Sequence, residues 1–270
     1  MSNVIARLRY LVPGVERPVY VASEGGADAA LSIDAGFEER EVLIHDARQL
    51  YRPAAIDSQG FTLLPHATQV SDFYGLESVR ESYEAEIIEL VLKATGAAAA
   101  QVFDHTLRSD SSHIRGQRST REPATVIHND YTDASAARRL RDILPPREAE
   151  RRLGRRFAIV NVWRTISDPV FSSPLACCDA ATIAPGDLVT SERRARERTG
   201  ELQLVIWNPA HRWYYYPGMT RDEVLLIKTF DSDRSGPARR SIHSAFSNPL
   251  APPDAPARES IESRLLVFHQ

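Results

Sequence analysis

The feature that most limits what this chain can fold into is its second half, where short extended segments follow one another at close spacing. Segments 157–163, 175–183, 202–207, 213–216, 224–229, 242–246 and 261–268 are each largely apolar and separated by charged, Gly- or Pro-containing stretches. Runs of this length fit buried or half-buried strands and are too short for most helices. Strands that follow one another without a helix between each pair exclude a doubly wound parallel sheet and point to two packed antiparallel sheets, a jelly roll.

The first 70 residues add further extended pieces, among them 19–21, 41–45 and 60–64, split by Pro and Gly. One helix is expected between Glu77 and Lys93. Val79, Tyr83, Ile87, Leu90 and Val91 fall there at helical spacing, and Gly96 is placed to end it. Strands are expected at 101–107 and 124–130. The segment 133–156 is different: Ala136, Leu140, Ile143 and Leu144 make an apolar helical stripe, Pro145-Pro146 breaks it, and eight arginines decorate it. Asp133, Asp142, Glu148 and Glu150 balance part of that charge. A solvated helical face is therefore the plainer expectation, and a basic lid steering acidic substrates the alternative. Segments 191–199 and 248–256 read as a charged loop and a Pro-rich loop.

Composition narrows the function more than the fold. The 270 residues are 43% hydrophobic, and the formal net charge of −3 provides no global field for nucleic acid or an anionic membrane. No apolar run approaches the roughly 18 residues needed to span a bilayer. Residues 1–7 lack the basic start and long apolar stretch of a secretory signal. The two cysteines, Cys177 and Cys178, are neighbours, which disfavours a disulfide and forms no C-x-x-C zinc pattern. A reduced cytoplasmic protein acting on a small molecule, with no nucleic-acid or membrane partner, is the expectation; no sequence feature assigns an oligomeric state.

His128-Asn129-Asp130 is the one H-x-[DE] triplet in the chain. On a strand, residues i and i+2 project from one face, so His128 and Asp130 point together. Two histidines and one carboxylate on one face hold Fe(II) in oxygenases and leave positions open, and His243, on a later expected strand, can complete that set. The pair alone is weak, because eight histidines and 36 acidic residues give about one such triplet by chance. On the last strand Arg258, Ser260, Glu262 and Arg264 share a face by period two. A guanidinium with a hydroxyl binds a carboxylate by charge-assisted hydrogen bonds, as the far carboxylate of 2-oxoglutarate requires. Arg258 and Arg264 both qualify, the plainer alternative being an ion pair with Glu262. Asn161 and Trp163 share a strand face and either line the co-substrate site or fill core. His105 and both cysteines read as structural, His211 as part of a surface turn, and Lys228 as one half of a rim salt bridge with Asp231.

An ordered series of blocks adds to these readings. It comprises residues 59–61, 102–108, 128–132, 161–164, 174–179, 213–220, 222–228, 231–232, 243–246 and 258–264. From about residue 40 to the end, the series resembles the AsaB/CmcJ-like hydroxylase/desaturase family. The resemblance implies a double-stranded β-helix (cupin-like), mainly β with flanking helices, and Fe(II)/2-oxoglutarate-dependent dioxygenase chemistry. It places His128, Asp130 and His243 at the metal positions and O2 with a small molecule of secondary metabolism as substrates. An unactivated C–H would be oxidised, by hydroxylation, desaturation or oxidative ring formation, with release of CO2 and succinate. One domain over 1–270 is expected: N-terminal strands and a support helix in 1–100, then a jelly-roll core in 101–270 with the helical insertion 133–156. Segments 133–156 and 191–199 look least like the family. Two other classes fit the residues: a jelly-roll zinc hydrolase or isomerase using the same three ligands, and a non-catalytic β-sandwich binding module with 213–216 as its contact surface.

Overall fold

The computed structural model describes residues 2–270 except Asp168 and Glu197. The chain opens with strands β1 (Val4–Leu11), β2 (Val19–Val21), β3 (Ser32–Ile33), β4 (Phe37–Asp46) and β5 (Phe61–Pro65). Helix α1 (Arg80–Thr95), β6 (Ala99–Ser109), α2 (Ser112–Arg118) and the two-residue β7 (His128–Asn129) follow. Helices α3 (Asp133–Ile143) and α4 (Pro146–Leu153) then lead into β8 (Phe157–Thr165) and β9 (Leu175–Cys178). The remaining strands are β10 (Leu188–Ala195), β11 (Arg198–Val205), β12 (Trp213–Tyr215), β13 (Glu223–Asp231), β14 (His243–Ala245) and β15 (Glu259–Phe268).

Two sheets form the body. The larger runs β1-β4-β12-β9-β14-β7-β11-β10-β2-β3, and the smaller β5-β13-β8-β15-β6. This is the jelly roll expected from the strand spacing. Phe61, Trp163, Leu225 and Ile227 of the small sheet pack with Leu175, Cys177 and Ala245 of the large one. On the far side of the small sheet, Tyr83, Ile87 and Val91 of α1 pack on Ala158, Val160, Val162, Val224 and Leu226. Strand β8 is therefore buried on both faces, which explains why Phe157–Trp163 is apolar at every position but Asn161 rather than alternating. Helix α1 ends as expected: Gly96 adopts φ +63° and its N–H bonds the Leu92 carbonyl.

The insertion forms two helices. Thr132 and Ser135 make a reciprocal capping box on α3, and Pro146 opens α4. Their apolar stripe, Ala136 and Leu140 with Ala149, closes one end of the barrel against Phe157, Ile159, Phe230 and Leu266. Half of the arginines are in ion pairs, among them the outward-facing Arg141–Glu150 and Arg151–Glu148, in keeping with the solvated-face reading.

Three expectations need correction. Segment 191–199, Glu197 lying outside the described residues, is mostly strand rather than loop: β10 and β11 pair as an antiparallel hairpin from Leu188↔Val205 to Ala195↔Arg198. Its charges sit on partly exposed positions while Ser191 and Leu202 turn inward, so they do not oppose the ladder. The strand expected over 175–183 stops at Cys178, because the Asp179 side chain accepts from Ala181 N and starts a 3-10 turn. The strand expected over 124–130 shrinks to β7, which pairs only through Leu204, Gln203 and His243. Among the described residues, no helix is long and apolar enough to cross a membrane.

Candidate active site

Strands β7 and β14 are neighbours in the large sheet, and their only register pair is His128 opposite His243. Antiparallel pairing therefore puts two imidazoles from residues 115 apart in sequence side by side, their ring centroids 4.6 Å apart. Asp130 follows two residues after His128 and presents Oδ1 3.7 Å from His128 Nε2. The three residues offer one ligand atom each within 4.8 Å of one another, an arrangement that can hold a metal ion.

Both rings are oriented in the same way. His128 Nδ1 lies 2.8 Å from the Val126 carbonyl, and His243 Nδ1 lies 3.1 Å from the Ser241 carbonyl. A carbonyl only accepts, so each Nδ1 carries the proton and each Nε2 keeps a free lone pair for a metal. Burial, and then the neighbouring His243, bring the His128 pKa down to about 4, so that ring is neutral at physiological pH. Burial pushes the Asp130 carboxyl up. The Arg264 guanidinium, the two imidazoles and the Asn161 amide outweigh that effect and hold it well below the usual carboxylate range.

The second layer comes from the small sheet. Asn161 on β8 donates from Nδ2 to Asp130 Oδ2 at 2.6 Å, which fixes the carboxylate with Oδ1 toward the histidines. Trp163, two residues on, lines a small cavity with His128, His243, Leu175, Arg258 and Glu262. The same-face placement of Asn161 and Trp163 thus serves the site as well as the core.

The two arginines of the last strand have different surroundings. Arg264 is spent on carboxylates: Nη1 bonds Asp104 at 2.6 Å, Nη2 bonds Glu262, and Nε lies 3.5 Å from Asp130 Oδ2. Burial would lower its pKa, yet Glu262, Asp130 and Asp104 raise it well above the ordinary value. Arg258 is fully buried beside β15 and, among the described residues, forms no ion pair. Its Nε and Nη2 donate to Ser260 Oγ at 3.3 and 3.1 Å, Nη1 donates to the Ser173 carbonyl at 2.8 Å, and the guanidinium lies 5.2 Å from the Trp163 ring. Burial, then Arg108, lower it to about 10, so it remains a cation at neutral pH.

The other singled-out residues fall outside this centre. His105 bonds Ser263 and Glu84 on the helix-covered side, and Lys228 bridges Asp57 and Asp231. Both cysteines are buried and unbridged. His211 corrects its expected place in a surface turn: it is buried, between Tyr10 and Asp187, because the turn packs onto β1. The residues not singled out are Arg108, Arg121 and Arg193, which meet His128 and Asp130 at a second opening. Arg193 falls in the segment read as a loop; on a strand, its alternation with the exposed Arg194 is the signal that turns it inward.

A family model described as an oxidoreductase/YMDC permease-like domain matches residues 8–268. The chain is 32% identical over 255 residues to the hydroxylase/desaturase efuI of Hormonema carpetanum, covering 86% of this chain and 84% of that protein. It is 35% identical over 237 residues to the Fe(II)/2-oxoglutarate-dependent dioxygenase nvfI of Aspergillus novofumigatus, covering 84% and 83%. A solved structure of the iron and alpha-ketoglutarate-dependent endoperoxidase NvfI superposes with a TM-score of 0.85 at 28% identity, covering 99% of this chain and 98% of the other.

Proposed function

This chain belongs to the hydroxylase/desaturase family of oxidoreductases, and we propose that it is an Fe(II)/2-oxoglutarate-dependent oxygenase of secondary metabolism with His128, Asp130 and His243 as its metal ligands. The residues fit the metal. Two imidazoles with their Nδ1 protons tied to carbonyls, together with one ionised carboxylate, form the donor set that ferrous oxygenases use. They fit the co-substrate too, because Trp163 Nε1 is buried without a partner among the described residues, and in the same cavity Arg258 forms no ion pair, although Glu262 also lines it. When bound, iron with 2-oxoglutarate and O2 supplies oxidation of an unactivated C–H bond of a small molecule, releasing CO2 and succinate.

The chain's own residues bind, orient and shield. Asn161 and Arg264 hold the Asp130 carboxylate in position and ionised. Arg258 with Ser260 anchors the far carboxylate of 2-oxoglutarate, a role for which Arg264, already shared among three carboxylates, has no free donor face. Trp163 stacks against that guanidinium, and with Leu175 it keeps water from the anchored group. Residues 1–270 act as one oxygenase domain in this reading, since strands from the first 65 residues complete both sheets.

The observation that carries the reading is a buried arginine without an ion pair in one cavity with both histidines of a two-histidine, one-carboxylate cluster. A zinc hydrolase on the same ligands has no use for that arginine, and a binding module has no use for either feature. The test is anaerobic mixing of protein with Fe(II) and 2-oxoglutarate, followed by the visible charge-transfer band of the chelate. Wild type gives the band, His243→Ala does not, and Arg258→Gln needs a much higher 2-oxoglutarate concentration. No band in wild type, or an undiminished band in His243→Ala, sinks the assignment.

A further inference from the structure

The second opening to the triad differs in character from the Arg258 cavity. It is a neck lined by Tyr20, Arg108, Arg121, Arg193, His128 and Asp130, with one further acid, Glu122. Outward it widens into a groove of about 820 Å³, where Arg121 and Arg193 are joined by Arg118, Arg139 and Arg198. The lining is polar and mainly cationic: of its carboxylates, Asp104 is committed to Arg264 and Glu122 accepts from Ser23 Oγ, while Glu24 and Asp142 line the outer groove.

Among the described residues, the guanidinium groups of Arg121 and Arg193 form no hydrogen bond and no ion pair. Both are only partly exposed, and they come from different elements, Arg121 after α2 and Arg193 on β10. Other half-buried arginines are satisfied by carboxylates, as in Arg48–Glu223 and Arg156–Asp231, or by carbonyls, as Arg221 is by Val70 and Ser71. Burial, then Arg108 and Arg264, lower the pKa of Arg121; burial, then Arg264, do the same to Arg193. Crowded cations without partners, at a neck ending on the metal triad, create a site for negative charge.

We propose that the substrate carries an anionic oxygen group, a carboxylate or a phosphate, that Arg121 and Arg193 grip at this neck. The inference rests on the oxygenase reading and assigns the substrate class of that same site. The far carboxylate of 2-oxoglutarate does not fill this role, because Arg258 lies in the other cavity, with Trp163 and Leu175. Guanidinium groups give two donors each to such an anion, and a neutral ester or alcohol offers them no charge.

The test uses the anaerobic Fe(II) protein saturated with 2-oxoglutarate, so that the Arg258 cavity is occupied. The probes are 1-naphthoate, 1-naphthyl phosphate and methyl 1-naphthoate, titrated by calorimetry at low salt. At least one anion binds, weakens as salt rises, and binds tenfold or more tighter than the ester; the tighter of the two names the anion. Arg121→Gln and Arg193→Gln each lose about tenfold or more, the size of a charge-assisted hydrogen bond. Their thermal unfolding temperatures stay level or rise, since each removes a crowded charge, whereas a structural arginine would lower them. Equal binding of ester and anions, no anion binding below about 10 mM, wild-type affinity in both variants or a lowered unfolding temperature in both overturns the substrate class. The charge-transfer band separates the two failures. A normal band with any of those results removes this inference alone, and a missing band removes the oxygenase reading and the substrate assignment with it.

Discussion

Replacing Asn161 by Ala tests whether the metal site is organised from behind. Asn161 is fully buried on β8 and donates to Asp130 Oδ2 at 2.6 Å. A hydrogen bond to a charged acceptor contributes about 1.5–3 kcal/mol. Loss of such a partner behind a ligating group weakens metal binding about 10–100-fold. The effect is readable as linkage, since a metal present at about 1,000 times its Kd stabilises the native state by about 4.1 kcal/mol. At the same metal concentration, a Kd raised 10–100-fold leaves an increment of about 2.7 to 1.4 kcal/mol. Chemical denaturation of wild type and Asn161→Ala, each with and without Fe(II) under anaerobic conditions, gives both increments. Subtraction cancels the packing lost with the side chain, which is the same with and without metal. A variant that is destabilised without metal yet keeps the full wild-type increment would refute the coupling of Asn161 to the site.

Three further outcomes follow from the same geometry. The His128 pKa of about 4 lies below the ordinary 6.5, so the unfolded chain takes up the proton first as pH falls. His128 thus leaves stability unchanged above about pH 6.5 and removes about 2 kcal/mol from the metal-free protein between pH 6.5 and 5. Denaturation midpoints across that range check it, and His128→Gln should flatten that part of the slope. Arg264→Gln strips the counter-charge from Asp104, Glu262 and Asp130 and should lose about 3–5 kcal/mol in urea unfolding; Arg264→Lys recovers only part, having no fork to divide among three partners. Gly60 has φ +85°, and a Cβ there would lie 2.9 Å from Ser241 Cβ. Gly60→Ala should therefore destabilise by more than about 1 kcal/mol and, by shifting the carbonyl that orients His243, weaken Fe(II) binding in a titration.

The fold was legible where burial leaves a mark on composition. Strand β8 reads as a mainly apolar run, broken by Asn161, because helix α1 covers one face and the opposing sheet the other. The 133–156 insertion was legible because a helical stripe is interrupted by Pro145-Pro146 and restarts with Pro at N1. The β10–β11 hairpin was not legible as such. Its residues 191–199 are charged because they border the groove and solvent, and a ladder of backbone hydrogen bonds places no demand on side-chain polarity there. Strand β7 was overextended for a related reason, since apolar residues at 126 and 127 are buried by packing against β1 and β11 rather than by ladder pairing.

The site shows the same division between what spacing carries and what only partners decide. Period two places Arg258, Ser260, Glu262 and Arg264 on one face; the first three are buried there and Arg264 is nearly so. It could not divide their roles, because those depend on residues far away in sequence. Asp104, paired across β6 at the register position of Arg264, joins Glu262 and Asp130 in occupying that guanidinium. Arg258 lies before the strand begins, where its guanidinium bonds only the Ser173 carbonyl and the Ser260 hydroxyl; Asp110 takes its backbone N–H instead, so the guanidinium keeps no ion pair. Arg121 and Arg193 extend the same logic to the opposite side of the triad. Arg164 shows that a buried guanidinium can be held by backbone carbonyls without a carboxylate, whereas the guanidinium groups of Arg258, Arg121 and Arg193 line openings that reach His128 and have no carboxylate ion pair. One side matches the co-substrate. The other is the basis for expecting an acidic substrate.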